Sequence, residues 1–188
     1  SVNTHILGHL LGDFSVLDLA YGATVEVKPE AAPDFYLVHI PVSGYAELHY
    51  GKVQTRSTPE TISISSPSAL SYVYMEQDTR HFNIRFDREP LEAHLQSLIG
   101  HEVHAPLVLQ VETPSQSTAG AALIQTLDSL FLQARTVPQM FVHKQIVEQY
   151  KNLLMSILVS MFQHSYTELL RNGGHNPVPW HVRQAKDY

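Results

Sequence analysis

The spacing of apolar residues changes once along this chain, and that change limits the folds open to it. Between residues 14 and 88, apolar side chains tend to occupy every second position, as Phe82, Ile84 and Phe86 do. A period of two is typical of a β-strand with one buried face. After Asp87 the apolar residues recur every three or four positions, which is the period of a helix. We therefore expect a β-rich half followed by a helical half.

The β-rich half divides into eight short segments rich in Val, Ile, Tyr, Phe and Thr, with Gly, Pro, Ser or Asp between them. Short strands separated by such turn residues predict a β-sandwich or a small barrel. In sequence order the segments are SVLDLAYG, ATVEVKP, DFYLVHIPVSG, YAELHYGK, VQTRSTPE, TISISSP, SYVYMEQD and RHFNIRFDR. The apolar segment that precedes them, from Ser1 to Phe14, is predicted either to cover the barrel mouth as an arm or to pack into the core.

The helical half predicts three helices and one further short strand. REPLEAHLQSLIG places Leu91, Leu95 and Leu98 at helical spacing, and Gly100 suits the left-handed residue that ends many helices. STAGAALIQTLDSLFLQAR predicts a second helix, and PLVLQV between the two is a candidate strand. Pro138 suits the first turn of a third, long helix, PQMFVHKQIVEQYKNLLMSILVSMFQHSY.

The apolar stripe of the long helix is too wide to be buried against one neighbour only. Part of it is expected to pack against the barrel and the preceding helix of its own chain. The remainder is expected to pack against a second subunit, which predicts a homodimer. The residues predicted for this interface are Ile146, Tyr150, Leu153, Leu154, Ile157, Leu158 and Met161.

Composition excludes several classes of protein. The 188 residues are 44% hydrophobic and 16% charged, which favours a packed core over disorder. The formal net charge of −6 shows no basic excess, so this segment by itself is a poor nucleic-acid binder. No apolar run approaches the roughly 20 residues that a membrane span needs. The absence of cysteine excludes a disulfide scaffold and suits a cytoplasmic protein.

Polar residues on the predicted strands are candidate ligand contacts, because a small barrel with a polar inner face can hold one small molecule. The face of RHFNIRF opposite its aromatic residues is polar, and SYVYM has a face of alternating tyrosines. FYLVHIPVS contributes two more polar positions if its aliphatic residues pack outward against the helices. The candidate ligand-binding residues are His39, Ser43, Tyr72, Tyr74, His81, Asn83 and Arg85.

These side chains suit different groups on a ligand. The two tyrosines would stack on an apolar or sugar-like face and offer a hydroxyl. His81 and Asn83 can each donate and accept hydrogen bonds, and Arg85 would favour an anionic group. The alternative for the tyrosines is a half-buried position next to a helix. The alternative for Arg85 is exposure to water or a pair with Asp87 or Glu89.

Several stretches together resemble the N-terminal regulatory domain of AraC/XylS-type bacterial transcription factors, the cupin-like, AraC-binding kind. They are FYLVHIPVSGYAELHYGK, TPETISISSPSALSY, RHFNIRFDREPLEAHLQSLIGHEV and the terminal HVRQAKDY. The resemblance implies an α+β fold, a cupin-like small β-barrel or jelly roll followed by about three α-helices that include a long dimerisation helix. It also implies a small-molecule effector held between barrel strands, with His81 and Asn83 contributing.

The resemblance further implies a domain organisation. Residues 1–171 would be the effector-binding and dimerisation domain, residues 172–180 an interdomain linker, and residues 181–188 the start of a truncated helix-turn-helix domain that binds DNA. Two turns depart from the family pattern. Pro59-Glu60-Thr61 stands where Pro-Gly-Asp is usual, and Ser68 stands where glycine is common.

Neither a catalytic site nor a metal centre is predicted, so we expect no enzyme activity and no cofactor. Metal-binding cupins use two histidines one residue apart, and the β half contains no His-x-His. It also contains no Gly-x-Ser-x-Gly motif, which marks the nucleophile of many hydrolases. Two alternatives stay open: a stand-alone cupin-like metal enzyme, such as an isomerase or dioxygenase, and a dimerisation module whose barrel is filled by its own side chains.

Overall fold

The computed structural model describes residues 5–11, 13–28, 33–68, 70–100 and 102–173. Within them, the strands are β1 (His5–Leu11), β2 (Phe14–Ala20), β3 (Val25–Val27), β4 (Phe35–Ser43), β5 (Ala46–Tyr50), β6 (Val53–Ser57), β7 (Thr61–Ser65), β8 (Leu70–Met75), β9 (Arg80–Asp87) and β10 (Glu112–Pro114). Each of the eight predicted strands corresponds to one of β2 to β9.

The strands form two sheets. The large sheet has six strands in the order β1-β2-β9-β4-β7-β10, and the small sheet has four in the order β3-β8-β5-β6. Neighbouring strands in both sheets are antiparallel. Two antiparallel sheets followed by helices confirm the predicted α+β class with a cupin-like β-domain.

The helices are α1 (Arg88–Ile99), α2 (Thr118–Thr136), α3 (Lys144–Met161) and α4 (Thr167–Gly173), with a 3-10 turn at Pro138–Val142. Gly100 ends α1 at φ 84°, as its position in the sequence predicts. The third predicted helix is shorter than expected. Extended backbone at His143, with φ −83° and ψ 108°, separates the 3-10 turn from α3 and interrupts the helical hydrogen bonds.

The helices cover one side of the large sheet, which we call its helix-facing side. Phe82, Ile84 and Phe86 point to this side and join one hydrophobic cluster with buried leucines of α1, α2 and α3. The rings of Phe82 and Phe131 of α2 stack with centroids 4.8 Å apart. Burial of apolar surface, worth about 25 cal/mol per Å², therefore holds the helices against the sheet.

The small sheet packs on the opposite side of the large sheet. Its buried residues, which include Leu48 and Val73, form a second hydrophobic cluster with Leu37 of β4 and Val111. The space between the two sheets is called the interior below. The fold thus has three layers: the helices, the large sheet and the small sheet. The interior lies between the two sheets.

Two strands lie outside the predicted set. β1 pairs with β2 from His5 opposite Ala20 to Leu11 opposite Phe14. Residues 5–11 are therefore an edge strand of the large sheet and not an arm that covers the barrel mouth. The predicted strand PLVLQV does not form a strand: its Leu109 makes an isolated β-bridge to His164. The strand in this region is β10, which begins directly after it at Glu112.

The predicted linker and DNA-binding segment fall mostly beyond the described residues. The first two residues of the 172–180 linker belong to α4, and residues 174–188 lie outside the described residues, as do residues 1–4 of the predicted arm. For the helices of the described part, none combines the length and apolar character that a membrane crossing requires.

Candidate ligand-binding interior

Strand alternation brings one row of polar side chains to the inner side of the large sheet. His39 of β4 lies opposite Asn83 of β9 on one side and opposite Ser63 of β7 on the other. All three alternate with residues of the helix-facing side, so they face the interior. We call Ser63, His39 and Asn83 the interior row. His81 lies two residues before Asn83 on β9, on the same side of the sheet and opposite Pro41.

Two buried imidazoles meet beside this row. The rings of His39 and His81 have centroids 4.4 Å apart and planes inclined by 35°. Their exposed fractions are 1% and 0%. The two residues are 42 positions apart in the sequence, and only the pairing of β4 with β9 makes them neighbours.

The small sheet contributes one polar contact to His39. Its Nδ1 lies 3.4 Å from Oγ of Ser57 in β6, and that hydroxyl donates to the carbonyl oxygen of Thr61 at 3.1 Å. A hydroxyl has one hydrogen, so the Ser57 oxygen is the acceptor and Nδ1 of His39 is the donor. The neutral His39 ring therefore presents Nε2 as a bare acceptor.

Polar atoms without partners concentrate in the interior. Among the described residues, no hydrogen-bond partner is found for buried Nε2 of His39, either ring nitrogen of His81, Oδ1 of Asn83 or Oγ of Ser63. The same holds for Oγ1 of Thr55 and the hydroxyl of Tyr50, both on the small sheet. Each such atom costs about 1–3 kcal/mol of folding free energy. Because native proteins satisfy nearly all their buried polar groups, this concentration is typical of a functional site.

Burial keeps the two imidazoles neutral. It lowers the pKa of His81 to about 4, with Asp18 opposing the change. Burial, and then the neighbouring His81, hold the pKa of His39 well below its ordinary value of 6.5. Both rings are uncharged at neutral pH, so each offers one donor and one acceptor nitrogen.

The comparisons with known proteins agree with this architecture. A family model described as the AraC-binding-like domain matches residues 1–159. The chain belongs to the AraC-binding-like domain family. This confirms the resemblance drawn from the sequence.

Two relatives illustrate how far the likeness extends. A protein from Rhodococcus erythropolis named "Probable thc operon regulatory protein" is 24% identical over 176 residues, which cover 90% of this chain and 52% of that protein. The chain therefore spans about half the length of this curated relative. The crystal structure of the AraC-like transcriptional activator CuxR aligns at a TM-score of 0.57 and 10% identity, covering 97% of this chain and 69% of that one. At such low identity the second likeness shows the fold alone.

Tyr72 and Tyr74 of the AraC-binding-like domain do not reach the interior, contrary to their predicted placement. They lie on the outer face of the small sheet, where Tyr72 contacts the His49 ring edge-on at 4.9 Å and Tyr74 lies 6.3 Å from the Tyr45 ring. The inward positions of β8 belong to the buried Val73 and Met75. Those two residues pair with Leu48 and Ala46, and this apolar register turns the tyrosines outward.

Ser43 also lies away from the interior. The register between β4 and β9 shifts between Pro41 and Ser43, so Ser43 lies opposite Arg80, which points to the helix-facing side. Its hydroxyl donates to the carbonyl oxygen of Asp78 at 3.1 Å in an exposed position. A β-bulge of this kind adds one residue and reverses the alternation that the sequence pattern assumes.

Arg85 matches the alternative given for it. Its side chain is 42% exposed, and its Nη2 lies 2.6 Å from the Asp87 carboxylate, whereas its buried Nε has no hydrogen-bond partner among the described residues. The same group lies over the Phe35 ring at 4.9 Å. Arg85 is therefore at one end of the interior, where one of its nitrogens is paired with Asp87.

Sequence reasoning missed the small polar residues of the interior. Ser63 and Ser65 alternate with Ile62 and Ile64 in TISIS, so the pattern itself placed them on the face opposite the aliphatic residues. Thr55 gave no comparable signal, because VQTRS has no aliphatic face. Within the described residues, no group of three or more His, Asp or Glu side chains is arranged to hold a metal ion.

The seven residues predicted for a dimer interface divide between two faces of α3. Leu154 and Leu158 are 0% exposed and belong to the core of their own chain, so their assignment to an interface is wrong for the domain as folded. Leu153 and Met161 are 46% and 39% exposed. The other five, which we call the α3 stripe, are Ile146, Tyr150, Leu153, Ile157 and Met161. Within the stripe, Ile157 is 8% exposed and also belongs to the core cluster, and the Tyr150 hydroxyl donates to Gln133 of α2.

Proposed function

We propose that this AraC-binding-like domain is the effector-binding and dimerising part of a bacterial transcription regulator, and that its effector binds in the interior. One observation carries the proposal: buried polar atoms of His39, His81, Asn83 and Ser63 lie together on the inner side of the large sheet with no protein partner among the described residues. A ligand that supplies these hydrogen bonds would recover the free energy that their burial costs.

The fold offers a direct route from the interior to the helices. On β9, His81 and Asn83 face the interior, and Phe82 between them stacks on Phe131 of α2. The same strand continues into α1 at Arg88. A ligand that binds two arrangements of β9 with different affinities would shift the packing of α1 and α2, and only such a difference can transmit occupancy.

The α3 stripe supports the proposed homodimer. Its members recur at intervals of four, three, four and four residues, which aligns them along one side of the helix. Exposed Leu153 and Met161 flank the buried Ile157. A second copy of the same stripe would remove this apolar surface from water, as two-helix interfaces do.

DNA binding is proposed for a different part of the full-length protein. The chain spans about half of a relative named as an operon regulatory protein, and its formal net charge is −6. An acidic segment does not neutralise phosphates, so the basic residues that contact DNA belong elsewhere. A protein that acts on bacterial DNA works in the cytoplasm, and this domain would act by binding and not by catalysis.

The test is an effector screen with a matched pair of variants. Thermal unfolding of the domain is followed with a library of small metabolites, and compounds that raise the midpoint are titrated. Asn83→Ala removes an interior hydrogen-bonding group and is expected to weaken binding about fivefold or more. Tyr74→Ala, on the outer face of the small sheet, is the control and should leave binding unchanged. A stabilising compound whose affinity falls in the Tyr74 variant and not in the Asn83 variant would place the site elsewhere.

A further inference from the structure

The interior also indicates the chemical class of its ligand, an inference that rests on the proposed effector site. We infer that the ligand is a small uncharged organic molecule with amide, carbonyl or hydroxyl groups along one edge and hydrocarbon on the other. Three features lead to this class: the layout of the interior row, the lack of a buried charge without an ionic partner beside it, and the mainly apolar wall opposite.

The interior row sets the edge that the ligand must match. Ser63, His39 and Asn83 lie side by side on the adjacent strands β7, β4 and β9. Neighbouring strands are about 4.8 Å apart, so the row extends over roughly 10 Å. A ligand that meets several of these side chains at once therefore carries its polar groups along one edge.

The row needs hydrogen-bond donors as well as acceptors. Nε2 of His39 is a bare acceptor because Nδ1 donates to Ser57, and Oδ1 of Asn83 is an unpartnered acceptor. The Ser63 hydroxyl and the His81 ring can each donate or accept. Amide N–H groups and hydroxyls of a ligand can donate to the first two atoms, and its carbonyl or hydroxyl oxygens can accept from the other two groups.

Among the described residues, two formal charges of opposite sign lie on the inner side of the large sheet at the ends of the interior row: Arg85, two residues along β9 from Asn83, and the exposed Glu112, opposite Ser63. Arg85 is 42% exposed and already paired with Asp87, and the buried Asp18 points to the helix-facing side, where Arg80 holds it at 2.7 Å. His39 and His81 are neutral because burial lowers the pKa of both imidazoles. A charged ligand would lose its hydration here and meet only an exposed carboxylate or a guanidinium that already has a carboxylate partner, so its desolvation, which costs several kcal/mol, is poorly compensated.

The opposite wall is mainly apolar, although Tyr50, Thr55 and Ser57 also contribute hydroxyls to it. Leu48, Val73 and Met75 of the small sheet are buried and point inward, and Leu37 of β4 packs with them. Such a wall accommodates the hydrocarbon part of a ligand, and the flexible thioether of Met75 can adapt to its shape. One polar and one apolar side together favour an amphiphilic molecule over a fully hydroxylated one.

Two sets of probes that differ mainly in charge test this class. The first set is benzamide, benzoate and benzylammonium, and the second is the smaller acetamide, acetate and methylammonium. Binding is followed at pH 7.5 through the imidazole C–H signals of His39 and His81 in protein with 13C-labelled histidine. His39→Gln and His81→Gln assign these signals. We expect an amide of one set to shift both signals saturably, and its charged counterparts to bind at least about tenfold more weakly.

Variants link the probe to the interior row and to the apolar wall. Asn83→Leu should weaken amide binding about fivefold or more, and Tyr72→Leu on the outer face should not change it. If an acetate or benzoate ion binds as tightly as the corresponding amide, the inferred class is wrong while the effector site stands. If no probe of either set shifts the two signals, the interior is not a binding site, and both this inference and the proposed function fail.

Discussion

At the scale of single residues, the buried imidazoles show how a binding site and a stable fold oppose each other. His39 and His81 are buried in the interior, and apolar side chains at these positions would need no hydrogen bonds. Their unpartnered nitrogens cost folding free energy, and their burial excludes the charged form. The large hydrophobic cluster between the large sheet and the helices offsets this cost.

The same burial predicts that the domain loses stability in acid. The unfolded chain binds protons on its histidines near pH 6.5, whereas His81 in the folded domain does so at about pH 4. Between these values the unfolded state holds more protons, so the free energy of unfolding falls as the pH falls through this window. The loss from His81 is roughly 3 kcal/mol at most, and His39 acts in the same direction.

Urea denaturation at pH 7 and pH 5 measures this effect. His81→Phe removes the titrating ring and should reduce the difference between the two pH values. The charged or titratable groups near His81 are His39, Tyr21 and Asp18. His49 is not among them and lies on the outer face of the small sheet, so His49→Phe serves as the control. An unchanged pH dependence in the His81 variant would contradict neutral burial of this imidazole.

Ser68 shows a second cost at one residue. Its φ of 62° lies in the left-handed region, and its backbone N–H donates to the carbonyl oxygen of Pro33 at 2.7 Å. This conformation costs a side-chain-bearing residue about 1–2 kcal/mol, and glycine avoids it at an entropic cost of about 0.5–1 kcal/mol. Ser68→Gly should therefore raise the free energy of unfolding by up to about 1 kcal/mol. Chemical denaturation checks this, and Ser68→Ala, which keeps the strain, should give no gain.

At the scale of elements, α3 carries two apolar faces with different roles. Leu154 and Leu158 face the chain's own core, and Leu153 and Met161 face outward. Both faces read as one wide stripe in the sequence, because residues three and four apart share a face and the two faces adjoin. Substitutions on the two faces should consequently fail in different ways.

Charge on the outward face should dissociate the proposed dimer without unfolding it. We expect Leu153→Glu with Met161→Glu to give a folded monomer by light scattering and circular dichroism, because a carboxylate at a two-fold interface meets its own copy. Val53→Glu, at an exposed site on the small sheet, is the control. Leu154→Glu with Leu158→Glu should instead unfold the chain, since it buries two unpaired charges. A wild-type monomer, or a dimer that survives in the outward variant, would exclude the α3 stripe.

At the scale of the whole molecule, one ion pair ties the first hairpin to the helical layer. Lys151 of α3 is buried, and its ammonium donates to the carboxylate of Asp13, in the turn between β1 and β2. Glu148 lies 3.7 Å from the same ammonium. This contact joins residues that are 138 positions apart and fixes the edge of the large sheet against α3.

Removing one partner of this pair should destabilise the domain more than removing both. Asp13→Asn leaves Lys151 with a weaker acceptor and is expected to lower the free energy of unfolding by about 1–3 kcal/mol. Asp13→Asn combined with Lys151→Met removes the buried charge and should recover part of that loss. Urea denaturation of both variants measures the difference. Equal losses in the single and double variants would show that the pair makes no specific contribution.

How much the sequence could predict differs between the fold and the site. The period of two in β2 to β9 located these strands, because a half-buried strand must alternate wherever it lies in the fold. The change of period after Asp87 located the helices for the same reason, and Gly100 marked the end of α1. These features depend on the backbone geometry of a few consecutive residues, so the sequence by itself determined the α+β class.

The tertiary structure decided which side chains meet. Alternation defined two faces on β8, but only pairing with β5 turned Val73 inward and Tyr74 outward. The bulge that removes Ser43 from the interior and the burial of Leu154 likewise depend on residues far away in the sequence. His39 and His81 adjoin because β4 pairs with β9 in one register, and a shift of one residue would turn either ring to the other side. Local periodicity tells a chain where its faces are, whereas the partner that covers each face is set by packing across the whole molecule.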